Sequence, residues 1–154
     1  MSSDYRIEKV RYSVEVVLSN GQRLSGEVFC QSAGRFHNRP DRPLDLLNDD
    51  ASFLPLVAVD GSIRLVQKTH IAVMGTALPE GDDDVDTGVL GMRVAITLVD
   101  GSEQIGTIFP ELHPDRERIV DFLNDTPLRF LALFTTDQLR LVNRVHIAYV
   151  RPVS

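Results

Sequence analysis

The chain of 154 residues has a single cysteine, few aromatic residues and no long apolar run. Its one cysteine, Cys30, excludes an internal disulfide and a zinc site built on several cysteines. The longest apolar runs, such as Phe53 to Val59 and Phe130 to Phe134, are far shorter than the roughly 20 residues that span a bilayer. The charged N-terminal stretch contains no apolar block of the kind found in signal peptides. We therefore expect a cytoplasmic protein without membrane association.

The net charge is negative, and the acidic residues are unevenly spread. Lysine and arginine number 16 against 22 aspartates and glutamates, a balance of −6, and five of the acids lie between Glu80 and Asp86. This balance disfavours general affinity for nucleic acid, because phosphate binding depends on Lys and Arg. The crowded acids predict a solvated linker, since like charges repel one another. A calcium-binding loop is the alternative, but Arg93 stands where an EF-hand loop needs a bidentate acid.

The clearest pattern in the chain is an internal repeat. Most matches are related by an offset of 80 residues near the start of each copy and 76 further along, and Phe53 matches Phe130. So many colinear matches predict two copies of one module, at residues 11–74 and 92–151, joined by an acidic Gly/Asp-rich linker over 75–91. The other matched stretches are Val14 to Phe29 with Val94 to Phe109, Leu47 to Asp49 with Leu123 to Asp125, Arg64 to Val66 with Arg140 to Val142, and His70 to Ala72 with His146 to Ala148.

Each copy predicts five short strands, with a short helix between the second and the third. Asn20-Gly21 and Asp100-Gly101 predict tight hairpin turns after the first strand, because these residues tolerate positive φ. The sequence therefore predicts a mainly β protein of two tandem small five-stranded barrels. The strands are expected at Val14–Leu18, Leu24–Phe29, Phe53–Val59, Ile63–Gln67 and His70–Met74, then at Arg93–Leu98, Gln104–Phe109, Phe130–Thr135, Leu139–Asn143 and His146–Arg151, and the helices at Asp41–Leu47 and His113–Leu123.

Two stretches resemble the motifs of Sm-like (LSm) barrels. Val16 to Val28 resembles the first half of the first motif, and Leu141 to Val150 resembles the second motif. The resemblance implies Sm-like or SH3-like barrels, in which neighbouring subunits pair their fourth and fifth strands, and it implies RNA binding. The family usually has an Arg-Gly or similar pair before the last strand, where this chain has Gln67-Lys68 and Asn143-Arg144. A longer insert replaces the loop with the uridine-stacking aromatic, which weakens the expectation of RNA binding.

The candidate binding residues are polar or basic side chains that mostly recur in both copies. The arginines and lysine among them predict either a solvated face or an anion or nucleotide site. The asparagines that close the helices predict either Asx-type helix stops or ligand contacts, and the histidines that head the last strands predict a structural ring hydrogen bond or a metal ligand. His37 and His113 are expected to cap the loop-to-helix junctions. The candidates are Arg42, Asn48, Lys68, His70, Arg118, Asn124, Asn143, Arg144 and His146.

The functional expectation is a non-catalytic interaction or scaffold protein. The chain contains no nucleophile, zinc-protease or phosphate-loop motif, so we expect no enzymatic activity, no metal and no cofactor. Strand edges would bind a protein partner or join chains into a homo-oligomer. The alternative is an RNA or nucleotide binder of Sm-like type, which the acidic balance and the 6% aromatic content disfavour. We also expect the two copies to pack together, because Leu128 to Phe134 contains more apolar side chains than one strand face can bury.

Overall fold

A computed structural model describes residues 9–31, 41–79, 91–110 and 118–153. These residues form a mainly β structure of ten strands, two short α-helices and two single 3-10 turns, at Lys68–His70 and Arg144–His146. Most of the acidic stretch, as well as His37, His113 and the expected start of the second helix, lies outside the described residues. The elements are β1 (Lys9–Leu18), β2 (Arg23–Gln31), α1 (Pro43–Asn48), β3 (Phe53–Val57), β4 (Ile63–Gln67), β5 (Ile71–Thr76), β6 (Met92–Leu98), β7 (Glu103–Ile108), α2 (Ile119–Asp125), β8 (Phe130–Phe134), β9 (Leu139–Asn143) and β10 (Ile147–Pro152).

The order of elements in the first half of the chain recurs in the second. Each helix lies between the second and third strand of its half, as the sequence predicts. Strands β4 and β9 have the predicted bounds, whereas β1 begins five residues before the predicted Val14. The expected helix stop at Asn124 is one residue early, because α2 continues to Asp125. His70 and His146 lie in the 3-10 turns instead of heading β5 and β10.

Glycine and a short polar residue shape the hairpin turns. Gly21 and Gly101 have φ of 90° and 91°, a conformation that favours glycine. Asn20 Oδ1 accepts a hydrogen bond from Gln22 N at 2.9 Å, and Asp100 Oδ1 accepts one from Ser102 N at 2.8 Å. The hydroxyl and the N–H of Ser102 hold the pKa of the Asp100 carboxyl below its usual value. Both turns therefore have the local chemistry that the sequence predicts.

All ten strands belong to one antiparallel sheet. Its order is β10-β6-β7-β8-β9-β5-β1-β2-β3-β4, so each half has the same internal order and the halves join where β5 pairs with β9. The two sets of five strands are therefore one continuous sheet and not two separate ones. Strands β4 and β10 are its two open edges in the part of the chain that the structure describes.

The halves exchange apolar side chains across this junction. Phe130 and Leu141 come from the second half and pack in the core cluster of the first, which contains Val16. Ala72 and Val73 come from the first half and pack in the core cluster of the second. The prediction that residues 11–74 and 92–151 pack against each other is confirmed, and Phe130 is one of the crowded residues on which it was based. The described residues include no helix with the length and apolar character to cross a membrane.

Candidate interaction surface at the strand edges

The junction between the halves combines strand pairing with burial. Strand β5 runs antiparallel to β9, with Val73 opposite Val142 and Met74 opposite Leu141. All four side chains are buried. The main chain therefore supplies the hydrogen bonds of a ladder, and the side chains supply an apolar contact on each face.

Asn48, the last residue of α1, fixes the helix of the first half to β8 of the second. Its Oδ1 accepts hydrogen bonds from the backbone N–H groups of Arg129 at 3.0 Å and Phe130 at 2.9 Å. Its Nδ2 donates to the carbonyl oxygen of Phe130 at 3.2 Å. We call this arrangement the asparagine clamp. It satisfies the backbone of a residue whose side chain is fully buried.

Two further side chains of the second half bind backbone carbonyls of the first. Asn143 is buried, and its Nδ2 donates to Ile71 O at 2.9 Å and to Lys68 O at 3.3 Å. His146 Nε2 lies 2.6 Å from Thr69 O, which requires the N–H to be on Nε2. The predicted ring hydrogen bond of His146 is confirmed. Three of the candidate residues, Asn48, Asn143 and His146, thus hold the junction together.

Three buried apolar residues of the junction have exposed matches at or near the open edges of the sheet. Leu65 on β4 is 66% exposed, whereas its match Leu141 is fully buried. Phe53 at the start of β3 is 52% exposed, whereas its match Phe130 is fully buried. Tyr149 on β10 is 59% exposed, whereas its match is the buried Val73. Three of the apolar residues that fill the internal junction therefore have an exposed apolar counterpart at an outer edge of the sheet, whereas Val66, the match of Val142, is buried.

An open groove of about 750 Å³ runs beside β4. The end of β1 and the start of β2 form one wall with Leu18 and Leu24, and β4 forms the other with Leu65 and Val66. His70 lies on the lining as well. We call it the β4 groove. Polar residues such as Asn20, Gln22 and Gln67 also line the groove, so it offers both apolar and polar contacts beside an unpaired strand, as a strand-binding site does.

Asn124 and His70 are the matches of Asn48 and His146, and both are exposed. Their side chains make no hydrogen bond with any residue that the structure describes, so the ring hydrogen bond predicted for His70 is not found there. The same residue types therefore bind across the junction in one half and face solvent in the other.

The candidate basic residues have local structural partners. Lys68 is 2% exposed, and its Nζ donates to Leu46 O and, at 2.5 Å, to Asp49 Oδ1. Its match Arg144 donates to Leu123 O and Leu128 O, each at 3.1 Å. Each of these two side chains binds a carbonyl in the last turns of its helix, where such groups lack intrahelical partners.

Arg42 and Arg118 lie at the opposite ends of the same helices. Arg42 precedes α1, and its backbone N–H donates to the carboxylate of Asp45 at 2.8 Å. Arg118 precedes α2, and its guanidinium contacts the carboxylate of Asp121 at 3.2 Å. These contacts are local to each helix, and they do not indicate one basic surface formed by Lys68, Arg144, Arg42 and Arg118.

The thiol of Cys30 does not have the properties of a reactive cysteine. It is fully buried on β2, and burial raises the pKa of its thiol to about 12, with Asp41 and Asp45 adding to the effect. A thiol in this setting is a weak nucleophile. In the described part of the chain, His, Cys, Asp and Glu side chains do not gather in groups of three or more that could hold a metal ion.

Sequence reasoning missed the exposed apolar residues Phe53, Leu65 and Tyr149. The repeat contains the signal, because it aligns two of them with residues of the same type in the second copy. The exposure of these residues can be predicted from the repeat only when the pairing of β5 with β9 is known. Comparisons with models of known protein families, with curated proteins and with solved structures give no match.

Proposed function

We propose that this protein is a non-catalytic interaction or scaffold protein, built from two copies of a small Sm-like barrel. The proposal is supported by the sequence repeat and by the strand order. In both halves, the fifth strand lies beside the first, followed by the second, third and fourth. A short helix after the second strand distinguishes both copies from the motif pattern of the Sm-like family.

One observation carries the proposal: among the described residues, both ends of the sheet are open strands with exposed apolar side chains. Unpaired edges are templates for strand addition, and proteins usually protect them with charge, proline or a covering element. Here β4 exposes Ile63 and Leu65, and β10 exposes Tyr149. Leu65 and Tyr149 match the buried junction residues Leu141 and Val73, so the composition of these edges suits binding to another strand.

RNA or nucleotide binding is the second candidate. It would need a continuous positive surface with stacking side chains. Lys68 and Arg144 instead bind helix carbonyls, Arg118 binds Asp121, and the chain has a net charge of −6 and no tryptophan. These observations favour the interaction protein over the RNA binder.

Capture from a lysate of the native cell, with and without nuclease, tests the proposed function. The tagged chain is compared with Leu65→Glu, which places a charge in the β4 groove, and with the control Ile105→Glu. Ile105 is a 40% exposed residue of β7, which lies between β6 and β8 and away from both edges. Proteins that survive nuclease treatment and are lost only with Leu65→Glu support the proposal. A captured set that disappears with nuclease, or that Leu65→Glu leaves unchanged, contradicts it.

A further inference from the structure

We infer that the partner at these edges is a second copy of this chain, joined head to tail. In this arrangement β10 of one chain pairs antiparallel with β4 of the next, and Asn124 clamps the backbone at Phe53 of that next chain. The inference rests on the proposed function of the edges, and it adds the identity of the partner and the register of the contact.

The internal junction supplies the template for this contact. It contains β5 with Asn48 on one side and β9 with Phe130 on the other. The repeat relates the first side to β10 with Asn124, and the second side to β4 with Phe53. The two outer edges of one chain are therefore the two complementary sides of a junction that the chain already makes once within itself.

The repeat also fixes the register. Val73 lies opposite Val142 in the internal junction, and the matching pair between chains is Tyr149 opposite Val66 of the next chain. In the same way, the internal pair Met74 and Leu141 corresponds to Val150 opposite Leu65 of the next chain. Gly75 opposite Arg140 then becomes Arg151 opposite Arg64. A shift by one residue would turn the exposed apolar side chains to the wrong face, so the pairing has one favourable register.

The apolar surfaces are complementary in size. Tyr149 is larger than its match Val73 and needs more space. The β4 groove offers that space between Leu18 and Leu65, next to the strand that Tyr149 would face. Burying an exposed leucine and an exposed tyrosine in one contact provides a favourable free energy that neither gains in the isolated chain.

The polar groups at the edges also have complementary partners. Asn124 corresponds to Asn48, so it would bind the outward backbone groups at Phe53 as Asn48 binds those at Phe130. His70 corresponds to His146, which binds the Thr69 carbonyl, so it would bind the Val145 carbonyl of the neighbouring chain. Both side chains are exposed and make no hydrogen bond among the described residues, so they are available for this role.

One difference makes the contact between chains weaker than the internal one, and two others are compensated. Pro152 replaces Thr76 and removes one backbone donor at the end of the ladder. In the internal junction, a Cβ added at Gly75 would lie 2.7 Å from the side chain of Gln138. In the contact between chains Arg151 stands in the place of Gly75, and the smaller Ser62 stands in the place of Gln138, which leaves room for the arginine. Arg151 also has Glu103 at 3.3 Å, which offsets its repulsion from Arg64. We therefore expect association that depends on concentration.

Head-to-tail contacts of this kind use different surfaces on the two chains. They build a ring if the rotation closes and a filament if it does not. Symmetric pairing of β4 with β4 would instead stop at a dimer. This difference allows the arrangement to be tested directly.

The test is disulfide cross-linking between two single variants, Arg64→Cys and Arg151→Cys. Both positions are exposed, and directly opposed residues of antiparallel strands are close enough for a disulfide. Cys30 stays in place because it is buried, and the unmodified chain is the control for it. We expect the equimolar mixture to form a cross-linked dimer on a non-reducing gel, and neither variant to do so alone. Arg64→Cys mixed with Tyr149→Cys, two residues out of register, should give roughly tenfold less dimer.

The outcomes separate this inference from the proposed function. Dimers of Arg64→Cys alone would show symmetric pairing of β4, which overturns the head-to-tail arrangement but keeps the edge as a binding surface. An absence of cross-links in the mixture, with Leu65→Glu still abolishing capture of other proteins, overturns the second copy as partner and leaves the proposed function standing. An absence of both effects contradicts the inference and the proposed function together.

Discussion

The side chain of Asn48 binds the backbone of Phe130 through both of its polar atoms. Its Oδ1 accepts from Phe130 N at 2.9 Å, and its Nδ2 donates to Phe130 O at 3.2 Å, across 82 residues of sequence. The contact joins the helix of one copy to the third strand of the other. Asn124 occupies the matching place on α2, where it is exposed.

The two asparagines provide a matched pair of variants. Asn48→Ala leaves the backbone of a buried residue without its partner, so we expect the free energy of unfolding to fall by about 1–3 kcal/mol. Asn124→Ala removes a solvent-exposed side chain, and its effect should stay within about 0.5 kcal/mol. Urea unfolding at low protein concentration measures both. Equal effects of the two substitutions would contradict the distinct roles of the two residues.

Asn124→Ala should have its main effect on association between chains. At concentrations where the chain self-associates, the loss of the clamp should raise the dissociation constant roughly tenfold, because a clamp of this kind contributes about 1–1.5 kcal/mol. Light scattering over a dilution series measures the change. Thr136→Ala, at an exposed position in the turn between β8 and β9, is the control and should leave the dissociation constant unchanged. If both variants dissociate at the same concentration as the original chain, Asn124 has no role in the contact.

We expect Lys68 to contribute to the stability of the fold and not to ligand binding. Its ammonium group joins the Leu46 carbonyl to the Asp49 carboxylate, and the side chain is buried. Lys68→Met keeps most of the apolar stem but removes the ammonium donor from the Leu46 carbonyl and from Asp49, which keeps its hydrogen bond from Ala51 N, so we expect a loss of about 1–3 kcal/mol in the free energy of unfolding. Arg93→Met, at an exposed position of β6, is the control and should change it by less than about 0.5 kcal/mol. An unaltered stability of Lys68→Met would be incompatible with this role.

Cys30 should make stability decrease at alkaline pH. Burial holds the folded-state pKa of its thiol at about 12, against an ordinary value of 9.0. Above the ordinary value the unfolded chain loses the thiol proton while the folded chain keeps it, so stability present below pH 9.0 is lost as the pH rises toward 12. Urea unfolding between pH 8 and 11 should show a steeper decline for the original chain than for Cys30→Ala. Parallel declines would show that the thiol does not contribute.

Part of the local structure could be predicted from the sequence. The turns at Gly21 and Gly101 and the bounds of β4 and β9 are determined by short-range patterns of apolar, polar and glycine residues. The pairing of β5 with β9 was not determined in this way, because it depends on which strand edges meet after the copies have formed. The resemblance to the Sm-like family indicated pairing of fourth and fifth strands, but it left open whether the pairing lies within one chain or between chains.

The candidate site was predicted less well, and the reason is physical. Phe53 and Phe130 are the same residue at matching positions, yet one is 52% exposed and the other is fully buried. Only their place in the sheet distinguishes them. Lys68 and Arg144 suggested an anion site because of their charge, but the unpaired carbonyls at the helix ends are nearby acceptors for these donors. No sequence pattern shows how far a long side chain lies from such a carbonyl.

The most direct test of head-to-tail association is a mixing experiment followed by sedimentation velocity. Leu65→Glu blocks the β4 edge, and Tyr149→Glu blocks the β10 edge, so each variant alone retains one working edge and should sediment as a monomer of 17.2 kDa. In an equimolar mixture the intact edges are complementary, and we predict a one-to-one dimer of twice that mass, whereas the original chain forms larger species as its concentration rises. A mixture that sediments as monomers, together with an original chain that stays monomeric at every concentration, would contradict the account.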